Sequence, residues 1–159
     1  MFGLFKKSPL TQAKNSADEF RDKNAIPEEV TINFFGKKEL LKVDVYGVSK
    51  IEGPIDSGQI KYICGELPTL MSVVEDRIRE FAEANYAEFM NSFYGDEFGI
   101  EAPESVGEAV KLMEPTGIFF SKPDVAEIVV FPNMDSECNK SLKVSVNLQR
   151  EVSVEIEDC

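Results

Sequence analysis

Residues 68–93 read PTLMSVVEDRIREFAEANYAEFMNSF, and their periodicity decides the fold class. Leu67, Leu70, Met71, Val74, Ile78, Phe81, Ala82, Phe89 and Met90 recur in three- and four-residue steps, the spacing of one helical face. Asn85 interrupts the stripe at one step. Pro68 suits a first helical turn and Gly95 a terminating position. A helix over 68–93 would be about 39 Å long. Its opposite face would carry Glu75, Asp76, Arg79, Glu80, Glu83 and Glu88, with Glu75 placed four residues before Arg79 for a helical ion pair.

The segments on either side read as strands. Upstream, Val30, Ile32 and Phe34, then Leu41, Val43 and Val45, alternate with more polar neighbours around Gly36-Lys37-Lys38, which predicts an antiparallel hairpin. Gln59–Cys64 (QIKYIC) reads as a third strand with Ile60 and Tyr62 on one face. Downstream, Ser105-x-x-Glu108 forms a capping box for a short helix over 106–113, which Pro115 prevents from continuing. Strands over 117–121 and 125–131 flank the turn Ser121-Lys122-Pro123-Asp124. Leu142, Val144, Val146 and Leu148 share a phase with Val152, Val154 and Ile156, and the break near Gln149-Arg150 predicts a final hairpin. The order strands, helices, strands argues for an α+β domain over 28–159. Its mainly antiparallel sheet would be covered on one face by the long helix (68–93) and the shorter one (106–113). Residues 1–27 read as an N-terminal appendage, with a short helix over about 17–23 opened by Ser16-x-x-Glu19.

Charge narrows the partners. The 159-residue chain carries a net charge of −12. Residues 1–24 hold five bases and three acids, a net of +2, so the remainder carries −12 − 2 = −14. Residues 62–108 hold eleven acids against Arg77 and Arg79, a net of −9. Such a surface repels phosphate backbones, which argues against a nucleic-acid partner and for a basic protein. The longest apolar runs are a few residues, against roughly 20 needed to span a bilayer. The three cysteines, Cys64, Cys138 and Cys159, show no C-x-x-C spacing and read as reduced thiols of a cytoplasmic protein.

The sequence holds no histidine, which removes Ser-His-Asp and Cys-His catalysis, and it has no phosphate-binding glycine motif. No cofactor, catalytic or metal residues are assigned. Asn133-x-Asp135-x-Glu137-x-Asn139 alternates like a calcium loop, but Cys138 replaces the glycine and Val144 the closing glutamate. Cys64 follows an apolar run and reads as buried and inert; the aromatics Tyr86, Phe89, Phe93, Tyr94 and Phe98 read as core.

Three segments together carry a resemblance: VTINFFGKKELLKVDVYG (30–47), LMSVVEDRIREFAEANYAEF (70–89) and LKVSVNLQREVSVEIE (142–157). In that order they resemble small bacterial cytoplasmic α+β domains of uncharacterised function, some of which look like immunity proteins of toxin systems. The resemblance covers about residues 28–157 and implies no catalytic residues. The expectation is therefore a non-enzymatic interaction module that meets a basic protein with Glu75, Asp76, Glu80, Glu83 and Glu88. Two alternatives stand beside it. One is a carboxylate-based or metal-assisted hydrolase centred on Asp96, Glu97 and Glu101, and the other a membrane-peripheral adaptor using MFGLFKK (1–7) as a foot. Homo-oligomerisation through an edge strand of the final hairpin is a further expectation.

Overall fold

A computed structural model describes residues 9–94, 101–132 and 140–158, with side chains from residue 16 onward. The architecture is α+β, as the sequence predicts. A six-stranded sheet in the order β1-β2-β3-β4-β5-β6 comprises Glu29–Phe34, Lys37–Asp44, Glu114–Lys122, Val125–Phe131, Lys140–Asn147 and Val152–Asp158. Neighbouring strands are antiparallel except β2 and β3, which pair in parallel at Val43↔Ile118 and Asp44↔Phe119. A parallel pair needs a long crossover, and here all the central helices lie between those two strands.

The hairpins form where period-2 patterns predict them. Phe35-Gly36 closes β1 and β2, with φ of 45° and 83°, the left-handed values of the turn that matches strand twist. Phe35 is not a natural occupant of that region. Its ring lies edge-on to Phe34 at 4.7 Å, and the Arg79 guanidinium sits 4.9 Å from its centroid. In the β5–β6 hairpin the Asn147 side chain accepts hydrogen bonds from the Gln149 and Glu151 amides, both at 2.9 Å.

On one face a single rung runs across five strands: Val43, Ile118, Ile128, Val144 and Val154. All but Val154 are fully buried, and Leu41, Phe120, Ala126, Val130, Leu142 and Val146 on β2 to β5 join them. Against this face lies α3, Ser57–Ala84. At about 42 Å it exceeds the roughly 24 Å between the outermost strands, and it makes contact from β1 to β6.

Three expectations for the central helix are corrected. Gln59–Cys64 is not a strand but the opening of α3, because Ile60, Ile63, Cys64 and Leu67 are buried at helical spacing while Tyr62 is 45% exposed. The helix therefore starts at Ser57, where the Asp56 carboxylate accepts from the Gly58 amide, and Pro68 lies in its interior. It also ends earlier than predicted. Asn85 takes a non-helical conformation, its side-chain amide donates to the Phe81 carbonyl, and a separate α4 spans Tyr86–Tyr94.

The remaining helices are short or peripheral. α2 (Tyr46–Ser49) abuts β3 so closely that a Cβ on Gly47 would meet the Phe120 carbonyl oxygen and Ser121 Cα at 3.0 Å. α5 spans Val106–Val110, shorter than 106–113. The Ser105 hydroxyl caps it by accepting from the Glu108 amide. α1 spans Pro9–Asn24, longer than 17–23, so Ser16 falls inside the helix and does not cap it. Ala17 from α1 is buried, and Phe20 packs against the core. Phe89, Phe93 and Tyr94 are buried too, in the core role their spacing predicts, and Tyr94 donates to the Pro132 carbonyl. Tyr86 is exposed, and Phe98 lies outside the described residues.

Candidate partner-binding surface

The five carboxylates that the sequence assigns to a partner do not share one helix. Asp76, Glu80 and Glu83 are exposed on α3 and, at 100° per residue, fall within an arc of about 60°. Glu75 lies on the flank of that arc and is half-buried, and Glu88 is exposed on α4, beyond the break at Asn85. The expected Glu75–Arg79 pair is replaced by pairs one residue closer. Arg77 bonds Glu80 at 2.9 Å, and Arg79 approaches Asp76 at 3.8 Å. Arg79 is drawn away by the Phe35 ring, which holds its guanidinium over the β1–β2 turn. Both arginines are thus engaged, and among the described residues no base pairs with Glu75, Glu83 or Glu88.

A second feature was not legible in the sequence. Between α1, α2 and the paired ends of β1 and β2 lies a cleft of about 590 Å³, lined by Ala17, Asp18, Arg21, Glu28, Glu29, Lys42 and Tyr46, among others. Arg21 organises it. One guanidinium nitrogen donates to the Asp18 carboxylate at 3.0 Å and another to the Val43 carbonyl at 2.7 Å, while Nε is buried without a partner among the described residues. Tyr46 forms one wall, with the Lys50 ammonium 3.7 Å from its ring centroid. The cleft joins segments that reading residues 1–27 as an appendage keeps apart.

The third feature is the outer strand β6. Its neighbour β5 carries Lys143, whose ammonium bridges Glu155 at 2.8 Å and Glu157 at 3.5 Å. The hydrogen bond that Lys143 donates to Glu155 raises its pKa, burial opposes the rise, and the charges of Glu127, Glu155 and Glu157 add to it. At the hairpin's end Arg150 reaches Glu66 of α3 at 2.6 Å and locks the sheet edge to the helix.

The residues of the alternative readings are placed as follows. Asp96 and Glu97, the 1–7 segment, the 133–139 loop with Cys138, and Cys159 lie outside the described residues. Glu101 is exposed. Among the described residues no group of acids or thiols is gathered as a metal site, and no helix is long and apolar enough to cross a membrane. Cys64 is buried on α3, and burial pushes its thiol up to about 11, far from a nucleophile's range. Comparison with family models, curated proteins and solved structures finds no match to the chain.

Proposed function

We propose that the chain is a protein-interaction module that holds a basic protein against the outer face of α3 and the start of α4. The observation that carries this reading is the unbalanced charge of that face. Arg77 and Arg79 are consumed locally, and Glu75, Glu83 and Glu88 are left without an ion partner among the described residues. Like-signed carboxylates on one solvated face cost little in isolation and attract a cationic surface from a distance. A basic toxin held by an immunity-like protein is the form of this interaction that the sequence resemblance suggests.

The test is capture of partners on the purified chain from host lysate at low and high salt, followed by association kinetics with the protein recovered. The E80K/E83K variant is expected to associate about tenfold more slowly, with a flatter salt dependence, while the dissociation rate changes less. An unchanged association rate would remove α3 as the docking face.

A further inference from the structure

The two edges of the sheet are finished differently. On β1 the side chains facing α3, Val30, Ile32 and Phe34, are buried beneath the helix layer. On β6 the equivalent side chains, Val152, Val154 and Ile156, remain half-exposed, although the strand pairs with β5 over seven consecutive positions without a bulge. β6 contains no proline and no lysine, and the charge on this edge comes from the exposed Glu155, Glu157 and Asp158. Its outer row of backbone groups faces no further strand among the described residues. The sheet thus ends with an apolar step half-covered and a hydrogen-bonding row open.

We infer that this edge is a docking site for an extended segment of a basic partner protein, added as a seventh strand. Strand addition supplies main-chain hydrogen bonds, and alternate side chains select the segment. On the helix side, the added strand would cover Val152, Val154 and Ile156 and must present apolar residues there. On the other face it would meet Ser153, Glu155 and Glu157, with Asp158 beyond them, and must present lysine or arginine. Lys143 answers Glu155 and Glu157 from the β5 side only. Charge also decides between occupants. A second copy would bring the same glutamates opposite one another on chains of net charge −12 each, whereas a strand alternating apolar and basic residues meets both faces. The sign of the partner rests on the basic-protein reading above, but the surface is separate from α3.

The probe is a short synthetic peptide alternating lysine and valine, with a control of the same composition whose lysines and valines stand in blocks. Binding to the full chain is read by fluorescence anisotropy and by hydrogen exchange of the β6 amides. The alternating peptide is expected to bind saturably and protect β6. Its affinity should be about tenfold above the block peptide's, fall about tenfold in E155K/E157K, and persist in E80K/E83K. Should charge reversal unfold the chain, E155Q/E157Q removes the same charges at constant shape and is expected to weaken binding about threefold. Equal binding of both peptides, no protection of β6, or a concentration-dependent dimer that protects β6 without peptide would overturn the proposal. If only E80K/E83K abolishes peptide binding, the edge reading fails while the α3 reading stands.

Discussion

Cys64 sits where the apolar stripe of α3 meets the sheet, only 3% exposed, and burial moves its thiol from 9.0 to about 11. The raised value means that the folded chain keeps a proton that the unfolded chain gives up first. Stability is therefore undiminished below pH 9.0, falls as the pH climbs from 9.0, and levels off above about 11. A shift of that size corresponds to about 2–3 kcal/mol. Urea unfolding from about pH 8 to about pH 11 should show the fall, and the Cys64→Ala variant should lose most of it. Lys143 contributes to what that variant retains. Its pKa is raised chiefly by Glu155, so its contribution is present below about 10.5 and is lost as the pH rises through its folded value. A pH profile that Cys64→Ala leaves unchanged would place the thiol in contact with water. The thiol's burial was readable from the apolar run around it, but its helical setting was not. QIKYIC holds one apolar residue at every second position only as far as Tyr62, and the same six residues hold Ile60, Ile63 and Cys64 at helical spacing.

At the scale of elements, hairpins were legible and helix limits were not, because the two rest on different signals. A strand declares itself by alternation, and Val30–Ile32–Phe34 or Val152–Val154–Ile156 admit no other face assignment. A helix end is declared by single residues, and Pro68 is ambiguous among them. It is favoured at a first turn and merely costly inside a helix. The structure puts it in the interior of α3, where it has no N–H for the Cys64 carbonyl and its ring crowds that oxygen. Its side chain is exposed, so no core packing depends on it. Pro68→Ala should therefore stabilise the chain. The helix gains up to about 3 kcal/mol, and greater freedom of the unfolded chain offsets about 1, leaving roughly 1–2 kcal/mol. A rise in the urea midpoint at constant slope would show it. A fall would mean that the fit of α3 to the sheet depends on Pro68. Asn85 was visible as a gap in the apolar stripe, and the gap proves to be a break, where Asn85 leaves helical geometry while its backbone and side-chain amides both donate to the Phe81 carbonyl.

For the whole molecule, the acidic surface was readable because charge is a property of composition, whereas the cleft and the open edge are properties of assembly. Nothing in residues 16–24 announces that Arg21 will reach the Val43 carbonyl, since that bond joins positions 22 residues apart through the end of a sheet not yet formed. The same contact makes the place of α1 testable. It contributes buried Ala17, half-covered Phe20 and the Arg21 bond, whereas the sheet and α3 supply nearly all the remaining core. A chain beginning at Ala25 keeps Ile26, which is buried, and loses those groups together with the Arg21 carbonyl that accepts from the Ile26 amide. From the apolar area uncovered and one charge-assisted hydrogen bond, the loss should be about 2–4 kcal/mol. That chain should still unfold in one cooperative transition, with far-ultraviolet circular dichroism lowered by one helix and the sheet retained. Arg21→Ala in the full chain should account for only part of the loss, because Ala17 and Phe20 stay in place. If removal of residues 1–24 instead abolishes cooperative unfolding, α1 is integral to the domain. The cleft would then be a seam of the fold, rimmed by the exposed Asp18, Glu28, Glu29, Lys42 and Asp44.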